Sequence, residues 1–211
     1  MNDNISIASD FHRLYYESEK QTWKNTYWLG TRVEKCPLDL WIYEEIIFEV
    51  KPDVIIESGT YRGGTSLFIS SICDLIDHGE VVTIDTEDRR AKPRHKRITY
   101  LVGSSISPEI ITRVSDFVRG KEKVMVVLDS LHDMDHVLKE LRLYSGFVSK
   151  GSYLIVEYTN LNGNPIKTDF GIGPMEAVRK FLEENKEFVS DRTREKFFLT
   201  FHPEGYLLRV Q

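Results

Sequence analysis

Apolar positions along this chain change their pattern near residue 53. Before it they are interspersed with polar and charged neighbours: residues 9–30 carry Tyr15, Tyr16, Trp23, Tyr27 and Trp28, and "PLDLWIYEEIIFEV" opens on Pro37, a residue suited to the first position of a helix. Both stretches are predicted to be helical and to form an N-terminal cap. After residue 53 short apolar runs take over, "DVIIES", "EVVTID", "RITYLV", "KVMVVLD" and "SYLIVE". Helices are predicted between them at about 64–76, 108–118 and 134–147, with another at "GPMEAVRKFLEEN". Apolar strands alternating with amphipathic helices imply a parallel sheet covered on both faces. The segment "KFFLTFHPEGYLLRV" reads as two strands around a turn at "HPEG", an antiparallel edge closing the sheet. The expected fold is α/β and Rossmann-like: a mostly parallel seven-stranded sheet with helices on both faces, an antiparallel C-terminal edge and a helical N-terminal cap. With no repeat, low-complexity tract or linker, one domain is expected over residues 1–211, cap 1–50 and core 51–211.

Composition narrows the class. The 211 residues, 41% of them hydrophobic, suffice for one sizeable core. No apolar run approaches the roughly 18–20 residues of a membrane helix, and the N-terminus has no signal-peptide pattern, so the chain is expected in the cytoplasm without a membrane partner. A net charge of -5 argues against nucleic acid. The basic run "RRAKPRHKR" at residues 89–97 is read as a solvated loop ahead of a site for an acidic ligand group. Cys36 and Cys73 form no CxxC pair and are expected to fill space. Association into a homo-oligomer stays open.

Candidate chemistry begins in "DVIIESGTYRGGTSLFIS", a strand, a glycine-bearing turn and a helix. Gly59, Gly63 and Gly64 permit close approach of backbone to a ligand and present amides at a helix start. The spacing is wrong for GxGxxG, because Tyr61 stands two positions after Gly59, and no Gly-Lys-Ser/Thr ends the turn. What remains is Glu57 at the strand end, ExGxxxGG, and Asp85 ending the next strand, where an acid accepts hydrogen bonds from ribose hydroxyls. That combination suits S-adenosylmethionine. Glu57, Gly59, Thr60, Tyr61, Arg62, Gly63, Gly64, Thr65 and Ser66 are expected around its methionine part, Asp85 at the ribose, and Ser104 and Ser105 near the adenine. The competing reading is a tight strand-to-helix turn with Asp85 capping a loop.

A second constellation lies in "VMVVLDSLHDMDH" and "YLIVEYTN". Asp129 and Glu157 end strands expected to be neighbours, so their carboxylates should stand side by side near the glycine turn. Such a pair repels unless a proton or cation intervenes, and oxygen donors suit Mg2+. A hard cation there lowers the pKa of a substrate hydroxyl, leaving His132 to accept the proton. That is chemistry for methylating oxygen. His132 and His136 also fit a solvated helix face, with no third zinc ligand in sight. An iron(II) facial triad is set aside because its all-β core contradicts the alternation.

These residues carry a resemblance. "WKNTYWLG", "CPLDLWIYEEII", "PDVIIESGTYRGGTSLF", "VVLDSLHDMDHVLKELRLYSGFVSKGSYLIVEYTNLNGNP" and "GPMEAVRKFLEEN" are similar to the cephalosporin hydroxylase, or rhamnosyl O-methyltransferase-like, family from about Trp23 onward. The resemblance implies a class I S-adenosylmethionine-dependent methyltransferase fold and O-methylation of a small hydroxylated acceptor, a sugar or glycosylated natural product. It implies an Asp and a His matched by Asp129 and His132, also Mg2+, and an acidic pair after the fifth strand of which Glu157 matches the first member. Tyr158 stands where the second acid is expected, and a neutral phenol is a poor Mg2+ ligand. Three outcomes stay open: Mg2+ held by Asp129, Glu157 and waters or substrate; metal-independent transfer with His132 as base and Tyr158 positioning the acceptor; or a cofactor-binding protein with lost or weak chemistry. Residues 158–174, with Tyr158 and Asn160 as candidate substrate contacts, are expected to wall or lid the acceptor site. A nicotinamide-dependent oxidoreductase shares the sheet and the acid at Asp85 but requires GxGxxG.

Overall fold

The computed structural model describes residues 2–89 and 91–211, the side chains of residues 2–5 excepted. Met1 of the N-terminal stretch and Arg90 of the basic run lie outside the described residues.

Helix α1 (Asn2–Glu17) leads through a 3-10 turn (Thr22–Asn25) to a small hairpin, β1 (Tyr27–Trp28) and β2 (Thr31–Arg32), and then to α2 (Pro37–Val50). The alternation follows as β3 (Val54–Ser58), α3 (Gly64–Leu75), β4 (Glu80–Asp85), β5 (Ile98–Val102), α4 (Pro108–Val118), β6 (Val124–Leu128), α5 (Met134–Tyr144) and β7 (Tyr153–Val156). Helix α6 (Pro174–Glu184), β8 (Phe188–Ser190) and β9 (Tyr206–Arg209) complete it. The seven-stranded sheet runs β5-β4-β3-β6-β7-β9-β8, with β5, β4, β3, β6 and β7 parallel and β9 antiparallel to both β7 and β8. Strand order reverses between β3 and β6, which opens a crevice at their carboxyl ends.

Alternation along each strand sorts side chains to two faces. Ile56, Val82, Val126 and Leu154 meet Ile110, Val114, Leu141, Val178 and Phe181 of α4, α5 and α6. Ile55, Val81, Met125 and Ile155 meet Ile42, Ile46, Phe68 and Ile72 of α2 and α3. Both faces being dry explains the unbroken apolar runs in the sequence. Cys36 and Cys73 are buried free thiols, as expected of space-fillers.

Two sequence expectations are corrected. Residues 9–30 are not one helix: Gln21 adopts φ 39, and Leu29 and Gly30 adopt φ 45 and 79, the left-handed pair that closes a tight hairpin. Trp28 then lies edge-on against Phe68 at 4.8 Å and donates from Nε1 to Ser71. Strand β9 lies between β7 and β8, and residues 196–201 form no strand beside it. Asp39 captures the Phe201 N–H at 2.8 Å and the Tyr206 hydroxyl at 2.9 Å, and the Phe201 ring enters an aromatic cluster with Tyr16, Trp23 and Tyr158. The apolar alternation there reflects that cluster rather than a strand. Among the described residues no helix is long and apolar enough to cross a membrane.

Candidate functional site

The turn after β3 is held from beneath. Glu57 is buried, accepting from the Ser66 hydroxyl and from Thr83 Oγ1 at 2.6 Å. Burial pushes its carboxyl up to about 7. This ties β3, β4 and the first turn of α3 together. Thr60 adds a hydroxyl contact with Thr83 at 2.7 Å. At Gly59, with φ 92, a Cβ would lie 1.8 Å from the Asp129 carbonyl oxygen, so the turn passes directly against the end of β6. The Tyr61 N–H donates to Asp85 Oδ2 at 2.7 Å and the Glu87 N–H to Oδ1 at 3.0 Å. Each oxygen of Asp85 keeps a further lone pair for a ligand hydroxyl.

Two cavities meet over this turn, with Gly59, Tyr61, Asp129 and Ser130 shared between them. One, about 330 Å³, is lined by Asp85, Arg89, Gly103, Ser104, Ser105 and His136 among others. The second, about 220 Å³, takes in Thr60, Arg62, Gly64, Thr65, Lys35, His132 and Tyr158. Of the residues expected around the methionine part, Gly59, Thr60, Tyr61, Arg62, Gly64 and Thr65 face this second space. Glu57, Gly63 and Ser66 do not; they shape the turn from behind.

Asp129 and Glu157 stand side by side because β6 and β7 run in register, Leu128 opposite Val156. Asp129 Oδ1 lies 3.3 Å from His132 Nε2, which leaves the ring's Nδ1 as the nitrogen for a proton. Between the two carboxylates lies the ammonium of Lys35, donating to Asp129 Oδ2 and Glu157 Oε2. Lys35 is 2% exposed. Burial works against its charge, but Asp129 and Glu157 outweigh that and raise its pKa well above the lysine norm. Burial also works to raise the Asp129 carboxyl, and Lys35 with His132 holds it below the usual range instead. Glu157 Oε1 accepts from the Tyr43 hydroxyl at 2.6 Å. The sequence reading missed Lys35, one residue before the "CPLDLW" segment; it stands among Arg32, Val33 and Glu34, where nothing local distinguishes it from a solvated charge.

Four other assignments change. Tyr158, at φ 57, is buried in the aromatic cluster with its hydroxyl donating to the Glu34 carbonyl at 3.2 Å, while its ring stands 4.5 Å from that of His132. It walls the cavity by its ring face. Asn160 is removed from the substrate contacts: it is fully buried, its Nδ2 2.9 Å from His12 Nε2. Asn160, Leu161 and Ile166 pack under α1, so the connection is no lid at its start; it surfaces at Phe170 and Ile172, and Gly173 then passes close to the His132 carbonyl. His136, read as part of a solvated face, instead lines the larger cavity, 3.0 Å from Ser130 Oγ and 3.4 Å from Ser105 Oγ, its pKa raised by a hydrogen bond with Glu140. Within the basic run, Arg97 and His95 are tied to Asp74 at the end of α3, while Arg89 lies over the Tyr61 ring at 5.0 Å.

A Rossmann-like sheet with an acid-ended β4, a glycine turn against β6 and an Asp-His pair at the switch point defines a class I methyltransferase. The profile of the family "Rhamnosyl O-methyltransferase/CmcI" matches residues 20–210. The rhamnosyl O-methyltransferase of Mycobacterium bovis is 35% identical over 97% of this chain and 85% of its own length. That of Mycobacterium leprae is 35% identical over 97% of this chain and 91% of its own. A solved structure described as "cmcI-D160 Mg-SAM" shares the fold, with TM-score 0.69 at 18% identity, covering 89% of this chain and 78% of that one. The chain belongs to the rhamnosyl O-methyltransferase/CmcI family, and it is an S-adenosylmethionine-dependent O-methyltransferase.

The two joined cavities, with open lone pairs on Asp85 at one end and the Gly59 turn at their junction, fit an elongated nucleoside-amino acid cofactor. A divalent cation fits less well. Mg2+ wants near-octahedral oxygen donors, whereas the ammonium of Lys35 bridges the two carboxylates and the Tyr158 hydroxyl is turned to the Glu34 carbonyl. Among the described residues no three or more His, Cys, Asp or Glu side chains are grouped to hold a metal. As folded, these residues do not fit Mg2+, and the arrangement favours the metal-independent outcome of the three left open.

Proposed function

We propose that this protein methylates a hydroxyl of a sugar, a 6-deoxyhexose such as a rhamnosyl unit, on a glycosylated small molecule. The observation that carries the reading is the meeting of the two cavities at Gly59 and Asp129, beside His132, in a chain 35% identical to rhamnosyl O-methyltransferases. The nucleoside end of the cofactor belongs in the larger cavity, with Asp85 at the ribose and Ser104 and Ser105 toward the base. The amino-acid end belongs over Gly59, Gly64 and Thr65, with Arg62 at its carboxylate. When bound, S-adenosylmethionine supplies a methyl carbon on sulfonium that leaves with its sulfur-carbon bond pair going back to sulfur.

His132 takes the proton of the acceptor hydroxyl at Nδ1, so that the oxygen lone pair forms the new carbon-oxygen bond. Asp129 holds the ring through Nε2 and stabilises the imidazolium that results. The ring of Tyr158 packs on His132 and limits its rotation. Positioning of oxygen against the methyl group supplies much of the remaining acceleration.

The test is calorimetric titration of the metal-stripped protein with S-adenosylmethionine, then a methyl-transfer assay on rhamnosyl and other hexosyl glycosides. Micromolar binding with transfer to a sugar hydroxyl supports the reading. No binding, or transfer confined to acceptors without a sugar, defeats it.

A further inference from the structure

The carboxylates ending β6 and β7 converge on one position, and Lys35 Nζ fills it. Lys35 arrives from outside the sheet, on the segment between β2 and α2. Burial of an ammonium and two carboxylates is tolerated when each charge is answered by a partner. Here each is: Lys35 has both acids, Glu157 has the Tyr43 hydroxyl on its other oxygen, and Asp129 has His132.

We propose, on the methyl-transfer reading above, that Lys35 is the built-in cation of this site, holding the Asp129 carboxylate aimed at His132 so that transfer requires no divalent metal. Charge counting supports this. Asp129 and Glu157 present two carboxylates, Lys35 sets one positive charge between them, and the Tyr158 hydroxyl is turned away to donate to the Glu34 carbonyl. A divalent ion must therefore displace the ammonium or sit against a like charge. Lys35 Nζ also lies 5.5 Å from the centroid of the Tyr158 ring, whose face favours a cation there. Lys35 is thus a positioning residue: it acts on the base through Asp129.

The experiment titrates the protein with Mn2+, followed by electron paramagnetic resonance, and measures methyl transfer in EDTA and in Mg2+. The wild type is expected to show no saturable Mn2+ binding and the same rate in both. Lys35→Ala is expected to lose about 100-fold in turnover, to gain Mn2+ binding between the freed carboxylates, and to recover part of its rate with ethylamine, a rescue that a merely structural lysine would not give. Saturable Mn2+ binding by the wild type, loss of its rate in EDTA, or a Lys35→Ala variant at full rate overturns the role of Lys35. The wild-type metal measurements decide the matter even where Lys35→Ala does not fold. Titration of the same samples with S-adenosylmethionine separates the two levels: no cofactor binding overturns both readings, whereas binding with metal-dependent turnover overturns that of Lys35 alone.

Discussion

The carbonyl oxygen of Asp129 lies 1.8 Å from the point a Cβ would occupy on Gly59. The end of β6 and the turn after β3 are thus in backbone contact at the floor of the site. Gly59→Ala is expected to lose about 3 kcal/mol of stability from this overlap and from a φ of 92, and with it cofactor binding. Denaturant unfolding checks this; a variant of near wild-type stability would mean the two strands separate easily.

His132→Ala is expected to lower turnover by about 100- to 10,000-fold while leaving the affinity for S-adenosylmethionine nearly unchanged. The ring touches Asp129 and Tyr158 and is only part-buried, so its removal leaves the Gly59 turn intact. A large loss of affinity in titration would make it a structural residue instead.

Glu57 has its carboxyl raised from 4.5 to about 7 by burial. Its contribution to stability is therefore full below pH 4.5 and is lost as pH rises through about 7, a swing on the order of 3 kcal/mol. Unfolding free energies at pH 5 and pH 8 should differ by more in the wild type than in Glu57→Gln, which keeps an acceptor for Ser66 and Thr83 without the charge. Equal slopes in both proteins would remove Glu57 as the cause.

His12 behaves oppositely. Burial lowers its pKa from 6.5 to about 4, so its contribution is present above pH 6.5 and is lost as pH falls through about 4. Because His12 faces Asn160 beneath α1, acid should loosen that helix before the sheet. Hydrogen exchange of residues 6–17 at pH 4.5 and pH 7 reads the difference, and uniform protection at both would refute it.

Tyr158→Phe removes one hydroxyl whose partner is the Glu34 carbonyl. The expected effect is about 1 kcal/mol of stability and a rate close to wild type, since the ring carries the contact with His132. A steep fall in turnover at constant cofactor affinity would instead place the phenol on the acceptor.

The sheet and most of its helices were legible because unbroken apolar runs in strands and a 3.6-residue period in helices are a direct image of burial. Helix α4 was expected at 108–118 and lies there, its start fixed by Ser107 and Pro108. The end of the chain was misread because Phe197, Phe201 and Tyr206 are apolar for different reasons, two packing beneath α2 and one entering the aromatic cluster. Asp129, Glu157 and the Gly59 turn were legible as strand-end chemistry at a switch point. Lys35 was not, because its partners lie 94 and 122 residues further along the chain and no local spacing records them. Asn160 and His136 exchanged places for the same reason: burial of the first and the cavity-facing position of the second depend on elements distant in sequence.

The Lys35 bridge also makes the first fifty residues part of the site's electrical balance. Without Lys35, Asp129 would keep His132 and Glu157 the Tyr43 hydroxyl, with no charge between the two carboxylates to offset their repulsion. The two halves of the chain thus complete one charge arrangement: β6 and β7 bring the two acids, and the segment ahead of α2 brings the cation set between them.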